Sequence, residues 1–270
     1  MFRHWLIAGV AATLVGAVPA TVAFAAPTAS GRTVTTLTSN VPSTAAPVAA
    51  PSGDPAAVAA LTQSVAALET LSHKVQMTTS RSKILAAVDP PGGSGMLTDQ
   101  EGTSQFAETV LGGQVWLKLN IDPNTNKQLG ITPNTWMSLD PSKLPKNNAL
   151  PIPPDASDPV DMPGILTGVN SVQQDSANQL SGTLDLTKIS GRDRPDPNEV
   201  RQAGAAAKKV PYTMTLDGQH RISEFNADAS GFDPGLSADI KYGSWGADPN
   251  VKAPSTSVPA PDALYTVLAN

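Results

Sequence analysis

The sequence predicts an α+β fold in which one N-terminal helix leads into an antiparallel β-sheet. Apolar residues recur at three- and four-residue spacing from Val58 to Leu71, as on one face of an amphipathic helix. From Leu71 onward the period changes to two, and short alternating segments separated by turns continue to Tyr242. We therefore expect one domain, in which the helix packs against a sheet with one apolar face.

Two segments without the composition of a folded domain precede it. A basic start at Arg3 and an apolar run from Trp5 to Val22 end in Ala23-Phe24-Ala25, a small-x-small cleavage pattern. This predicts a signal peptide over residues 1–25, cleaved near Ala25, and a secreted or extracytoplasmic, cell-envelope protein. The alternative is an uncleaved membrane anchor, because roughly 20 apolar residues can span a bilayer.

Residues 26–55 predict a disordered linker, and residues 56–270 a single domain. The linker consists mainly of Ala, Pro, Thr, Ser and Val with almost no charge, so it buries too little surface to fold. Such a spacer is typical of a domain held close to a membrane. The chain contains no cysteine, which excludes a lipidated cysteine, disulfides and cysteine nucleophiles.

The first helix is predicted from Asp54 as cap and Pro55 at the first helical position. Leu71 to Thr79 then alternates as a half-buried strand. Further strands are predicted at Gly95–Thr98, Thr103–Leu111, Gln114–Asn120, Thr135–Leu139, Leu180–Ile189, Val210–Leu216, Ile222–Ala229 and Leu236–Tyr242.

The segments between these strands predict turns, two short helices and two proline-rich stretches. Gly112-Gly113 and Asp217-Gly218 are typical of tight hairpin turns. Helices are predicted at roughly Val160–Asn170 and Pro197–Lys208. Residues 144–163 contain too much proline for regular structure and predict a long loop across one mouth of the sheet, and residues 251–262 predict a proline-rich tail.

Charge and histidine content narrow the classes of function. The net charge is −5 with no stripe of lysine or arginine, which argues against nucleic acid and anionic membranes as electrostatic partners. A zinc site or Ser-His-Asp triad would have to use His73 or His220, since the third histidine, His4, lies in the signal. We interpret His73 as interacting with the C-terminal end of the helix dipole and His220 as a solvated turn residue.

Two short motifs resemble catalytic or metal-binding patterns and lack essential parts. Ser80-Arg81-Ser82-Lys83 matches Ser-x-x-Lys without the companion motifs of penicillin-recognising enzymes. Asp122 to Asn126 begins like a calcium loop, but Lys127 replaces the glycine and Pro133 the glutamate. We interpret the second segment as a polar hairpin loop.

Pairs of carboxylates across strands are the remaining candidates for catalysis. Asp185 with Glu224, and Glu101 with Glu108, can be explained as solvated strand faces. The sequence therefore predicts a protein that is not an enzyme and uses no cofactor or metal, and a cryptic hydrolase is the weakest alternative.

Four short segments of the chain resemble segments of a known protein family. Gly113–Leu119, Thr135–Pro141, Val210–Asp217 and Ile222–Phe225 are similar to segments of actinobacterial envelope lipoproteins of the LprG/LppX type, which are LolA-like half-barrel lipid carriers. The resemblance covers roughly residues 56–245. Members of that family carry a lipidated cysteine after the signal, which this chain lacks.

The resemblance implies a strongly curved antiparallel sheet, a half-open β-barrel, with helices packed on its concave side. It also implies an apolar cavity for the acyl chains of a lipid or glycolipid, in a monomer that binds no nucleic acid. The cavity candidates are Leu61, Val65, Leu68, Val75, Met77, Phe106, Val110, Leu117, Leu119, Trp136, Met214 and Phe225. The alternative is a secreted or surface interaction module in which apolar residues of this kind fill a solid core.

Overall fold

The computed structural model describes residues 52–79, 82–145, 148–191, 194–230 and 237–269. The predicted signal peptide, nearly all of the predicted linker, and Ser80 and Arg81 of the Ser-x-x-Lys motif lie outside these residues. The described residues form an α+β structure around one large open sheet.

The sheet contains thirteen strands, and five α-helices lie between or beside them in the described residues. The strands are β1 (Ser52–Gly53), β2 (His73–Thr78), β3 (Lys83–Asp89), β4 (Ser94–Glu101), β5 (Ser104–Leu111), β6 (Gln114–Asn120), β7 (Trp136–Ser138), β8 (Val169–Ser176), β9 (Gln179–Leu184), β10 (Val210–Leu216), β11 (Ile222–Asp228), β12 (Ser237–Gly243) and β13 (Val258–Pro259). The helices are α1 (Pro55–Thr70), α2 (Pro123–Leu129), α3 (Met162–Leu166), α4 (Pro197–Ala203) and α5 (Asp262–Leu268).

The strands follow the order β1-β8-β9-β10-β11-β12-β2-β3-β4-β5-β6-β7-β13. Neighbouring pairs are antiparallel except at the two edges, where β1 pairs in parallel with β8 and β13 in parallel with β7. The prediction of an antiparallel sheet is therefore corrected to a mixed sheet. Parallel pairing requires long connections, and both edge strands come from segments that flank the meander in sequence.

The strand order forces one connection to cross the sheet. The chain proceeds from β2 at the centre to β7 near one edge, and then re-enters the sheet at β8 near the opposite edge. Residues 139–168, which we call the crossing loop, join these two strands and contain α3. The predicted proline-rich loop is the middle of this connection.

Helix α1 begins and ends as the sequence predicts. The Asp54 carboxylate accepts a hydrogen bond of 2.9 Å from the Ala56 amide, and Pro55 follows at the first helical position. Leu61 and Leu68 on one face of the helix are buried. The Ser64 hydroxyl lies 4.0 Å from Met214 Sδ of β10, which places this part of the helix against the sheet.

Several strands bury one face only, as alternation predicts, whereas β5 is buried on both faces from Phe106 to Val110. Val115, Leu117 and Leu119 of β6 are buried, while Trp116 and Lys118 between them are more exposed. We call the sheet surface that carries these buried side chains the buried face. Across the strands it forms one continuous apolar core with α1 and the crossing loop.

Three predictions of local structure need correction. The predicted helix at 160–170 is only the five residues of α3, and Val169 already belongs to β8. The helix predicted at 197–208 ends at Ala203, and a 3₁₀ turn follows it. The predicted hairpin loop at Asp122 is the start of α2, because the Asp122 carboxylate accepts hydrogen bonds from the Asn124 and Thr125 amides.

Candidate functional site

Ten of the twelve predicted cavity residues are buried together in the apolar core on the buried face. These residues are Leu61, Leu68, Val75, Met77, Phe106, Val110, Leu117, Leu119, Met214 and Phe225. Val65 is partly buried against the same core. These ten side chains therefore share one apolar core, and their role in binding a ligand stays a prediction.

Trp136 lies on the opposite face of the sheet. It is paired with Lys118, whose Nζ lies 5.0 Å from the centroid of the indole ring. Met137, paired with Leu117, occupies the buried face instead and is 1% exposed. Strand β7 has only three residues, and alternation alone cannot fix the register of so short a segment.

The crossing loop covers part of the buried face with its own apolar side chains. A Cβ built on Gly95 of β4 would lie 3.2 Å from Ile152 Cγ2, so Ile152 packs directly onto this strand. Seven apolar residues of the loop are at most 2% exposed, namely Leu139, Leu150, Ile152, Ala156, Val160, Met162 and Ile165. The loop is thus an apolar cover of the sheet and not a solvated connection.

A buried carboxylate on β5 holds the first part of this cover. Glu108 is 1% exposed, and its Oε2 accepts a hydrogen bond of 2.9 Å from the Ile152 amide. The strand register places Glu108 between Leu97 and Leu117 on the buried face. Glu108 therefore satisfies the backbone of an irregular segment at a place where water is excluded.

A second carboxylate, Asp158 of the crossing loop, joins the following part of the loop to the sheet. Asp158 Oδ2 accepts hydrogen bonds from the Met162 amide at 2.9 Å and from the Tyr242 hydroxyl at 3.2 Å. Its Oδ1 lies 3.7 Å from His73 Nε2, which is within the range of an ion pair but beyond that of a hydrogen bond. We call Asp158, His73 and Tyr242 the Asp158 cluster, and it ties the loop to β2 and β12.

His73 is buried in this cluster and shielded by aromatic rings. Its Nδ1 lies 2.9 Å from the Leu71 carbonyl oxygen, so the Nδ1 proton is donated to the end of α1. The Trp245 ring lies 5.0 Å from the imidazole, and the Arg221 guanidinium carbon lies 5.6 Å from the Trp245 ring centroid. The prediction that His73 interacts with the helix end is confirmed by this contact, although the side chain is 1% exposed.

The other predicted chemical candidates do not converge on one site. His220 is exposed in a hairpin turn. Glu101 pairs with Ser104 and not with Glu108. Asp185 accepts a hydrogen bond from the Thr187 amide, whereas Glu224 is paired in register with Lys241.

Metal-binding and membrane-spanning features are not found in the part of the chain that the structure describes. No group of three or more His, Asp or Glu side chains there has the arrangement of a metal site. No helix in the same residues has the length and apolar character needed to cross a bilayer.

The interpretation of Glu108 as part of a solvated strand face is wrong, since this side chain is 1% exposed, and Asp99 was not identified from the sequence. The strand positions of both carboxylates nevertheless carry a signal. Glu108 lies two residues from both Phe106 and Val110, and Asp99 lies two residues from Leu97, so alternation places both acids on the buried face. Asp99 sits in register between Ile84 and Phe106. Its Oδ1 is buried with no hydrogen-bond partner among the described residues.

Burial, together with the charge of the nearby Glu101 carboxylate, raises the pKa of Asp99 to about 6. In the unfolded chain the same carboxyl ionises near pH 4. The folded protein therefore holds this proton more tightly, and it loses stability as the pH rises from about 4 to 6.

Replacing Asp99 with asparagine is expected to stabilise the protein at neutral pH by about 1–2 kcal/mol. A pKa raised by roughly two units corresponds to about 3 kcal/mol in the free energy of unfolding. Because solvent reaches part of the Asp99 side chain, we expect a smaller change. The gain is expected to shrink to less than about 0.5 kcal/mol near pH 4, where the folded carboxyl is protonated and the unfolded one is about half ionised. Urea denaturation of both proteins at pH 4, 6 and 7.5 measures this, and an equal gain at all three values would contradict it.

Comparison of the chain with protein-family models and with curated protein sequences gives no match.

Proposed function

We propose that this protein is a non-enzymatic binder of an apolar ligand in the cell envelope. The ligand is the acyl chain of a lipid or glycolipid, held between the buried face of the sheet and the crossing loop. One observation carries the proposal: a broad apolar face is covered by an irregular segment, and two buried carboxylates, Glu108 and Asp158, join that segment to the sheet. The resemblance to LprG/LppX-type carriers and the predicted export signal agree with this function.

We infer that the crossing loop moves while the strands stay paired, which would let a ligand reach the buried face. Its hydrogen bonds to the strands include two that use side chains, between Glu108 and Ile152 and between Asp158 and Tyr242. At its start, the Leu139 amide also donates a backbone hydrogen bond to the Val115 carbonyl oxygen of β6. Each hydrogen bond to a charged group contributes about 1.5–3 kcal/mol. Opening the loop breaks these contacts and exposes its buried apolar side chains. It still costs less than global unfolding, because the strand ladders beneath it stay paired.

The proposed shape of the sheet is a half-open barrel with α1 and the crossing loop on its concave side. A large twisted sheet tends to curl when its strands exceed about ten. The open order of thirteen strands with one covered face supports this shape. A concave apolar face with few polar groups has the chemistry of a ligand pocket.

A second function, that of an interaction module with a solid core, is favoured by one observation. The loop side chains already occupy space on the buried face, and Ile152 is fully buried against β4. If the loop never leaves this position, the buried face accepts no ligand. The two functions therefore differ in whether the crossing loop opens.

A disulfide between the crossing loop and the sheet would distinguish the ligand-binding function from the interaction module with a solid core. The chain has no cysteine of its own. A Cβ at position 95 would lie 3.2 Å from Ile152 Cγ2, a position that the sulfur of a cysteine at 152 can occupy, so we choose these two positions for an engineered disulfide. We expect the oxidised Gly95→Cys/Ile152→Cys variant to take up a fluorescent fatty acid at least tenfold more slowly than its reduced form. The reduced variant is the matched control, because its sequence is identical.

Native mass spectrometry of the wild-type chain, purified from its host without detergent, supplies the second readout. A stoichiometric acylated species is the expected result. Equal uptake by the oxidised and reduced variants, together with a wild-type protein free of lipid, would overturn the proposed function and favour the solid core.

A further inference from the structure

The face of the sheet opposite the buried face, which we call the outer face, carries exposed apolar side chains over one of its halves. Leu85 of β3 is 45% exposed and Met96 of β4 is 42% exposed. Trp116 and Trp136, on β6 and β7, are half-buried on the same side. Large apolar side chains at neighbouring positions of a solvent-facing surface mark a site of interaction.

The lysines of the outer face are concentrated in the same half. Lys74, Lys83 and Lys118 alternate with buried residues on β2, β3 and β6, so all three lie on the outer face. Asp89, at the end of β3, is the one carboxylate at the outer positions of β2–β7. We call this half, with its lysines, Leu85, Met96 and the two tryptophans, the docking face.

The other half of the outer face has the opposite charge. Glu224, Asp228 and Asp239 occupy outer positions of β11 and β12, and Lys241 is the one lysine beside them. The outer face of the sheet therefore has a basic, apolar half and an acidic, polar half, although the chain as a whole has a net charge of −5. The expectation drawn from overall charge, that anionic membranes are unlikely partners, does not take this division into account.

A pocket of about 360 Å³ lies within the docking face, between Lys83 and Lys118. Thr98, Gln100 and Gln105 line it and supply hydroxyl and amide donors. Asp99 also borders the pocket, although its position in the strand register belongs to the buried face. Neither lysine forms an ion pair with a residue that the structure describes, and Lys118 instead lies over the Trp136 ring.

We propose that the docking face binds the surface of an anionic lipid bilayer, with a lipid phosphate in the pocket between the two lysines. Lysine amines near the surface of an anionic bilayer contribute to binding, and tryptophan rings favour the interface between headgroups and acyl chains. Leu85 and Met96 then enter the upper part of the acyl region. This proposal concerns a different surface from the ligand site and does not depend on it.

The lysines of the docking face favour an anionic bilayer, and not a second copy of the chain, as its partner. Two copies joined by a twofold axis through this face would bring lysines of one copy towards lysines of the other. An anionic bilayer instead offers phosphates at every position, which matches lysines distributed across several strands. The apolar side chains between the lysines agree with a partner that has an apolar layer directly beneath its charges.

Vesicle flotation tests the proposal with the full chain. The vesicles contain phosphatidylcholine alone or with 30 mol% phosphatidylglycerol. We expect the wild-type chain to bind the anionic vesicles at least tenfold more tightly, and Lys83→Glu/Lys118→Glu to lose at least tenfold of that affinity. The matched control, Lys208→Glu/Lys209→Glu, makes the same change of net charge at two exposed lysines before β10, outside the docking face. It is expected to stay within twofold of wild type.

Two further measurements keep the test decisive. All variants keep the same N-terminal segment, so its own membrane affinity is common to them. The Leu85→Ser/Met96→Ser variant is expected to lose binding as well, with its circular dichroism unchanged. Equal binding of the two lysine variants would overturn the proposal, and so would a wild-type dimer in sedimentation that Leu85→Ser/Met96→Ser dissociates.

Discussion

Replacing Asp158 with alanine is expected to lower the free energy of unfolding by about 3–5 kcal/mol. The substitution removes the acceptor of the Met162 amide and the Tyr242 hydroxyl, and it leaves His73 facing no carboxylate. Buried polar groups that lose a charged partner incur a desolvation penalty that far exceeds the net value of one hydrogen bond. Urea denaturation at pH 7 measures the change.

The matched control for this prediction is Asp155→Ala in the same loop. Asp155 is exposed, and its carboxylate accepts a hydrogen bond from the nearby Ser157 amide. We expect that variant to change stability by less than about 1 kcal/mol. Equal losses in the two variants would show that the Asp158 cluster does not hold the loop.

Hydrogen exchange locates the effect of Asp158→Ala within the chain. If the cluster ties the crossing loop to β2 and β12, amides at 148–166 exchange faster in the variant while those of β5 and β6 stay protected. Such a result would also show that the cover opens separately from the sheet. Uniformly faster exchange over all strands would instead mean that the loop belongs to one cooperative unit with the sheet.

Local sequence patterns were sufficient to predict the helices and strands that have one buried side and one exposed side. Helix α1 has a capping aspartate, a proline and an apolar stripe, and the structure confirms all three. Strand β6 alternates without interruption, as does β10. For these elements burial depends on the spacing of neighbouring residues, which a sequence displays directly.

Strands β3 and β8 escaped prediction because their side chains do not alternate in this way. In β3, Ala87 faces outward and yet is 7% exposed, because larger neighbours cover it. In β8, most residues after Val172 are exposed and polar. Both strands are specified by their partners on either side, and pairing across the sheet has no signature within a short segment.

The sequence was sufficient to predict most apolar residues of the candidate site, but it was not sufficient to predict its polar contacts. Alternation identified most of the buried face, but the Asp158 cluster joins residues that lie far apart in sequence. His73 was visible as a residue at a helix end, whereas its partner Asp158 lies in a proline-rich loop without periodicity. Only the strand order, which sends that loop across the sheet, brings them together.

Replacing Gly182 with alanine is expected to destabilise the protein by about 3 kcal/mol. A Cβ at this position of β9 would overlap the carbonyl oxygen of Ser171 in β8 and lie 3.0 Å from Tyr212 Cε1. The overlap involves backbone, so relief requires the two strands to separate. Gly218→Ala is the control, because a Cβ there meets no atom within 4 Å, and it is expected to be nearly neutral.

The loss in Gly182→Ala is expected to begin at the β8 edge of the sheet. Because the crossing loop enters the sheet at Val169 of β8, weakening the β8–β9 pair releases its end as well. Hydrogen exchange in Gly182→Ala should therefore increase first at 169–176 and in the adjoining loop. If Gly182→Ala unfolds at the same urea concentration as Gly218→Ala, β8 does not lie where the structure places it, and the course of the crossing loop must be different.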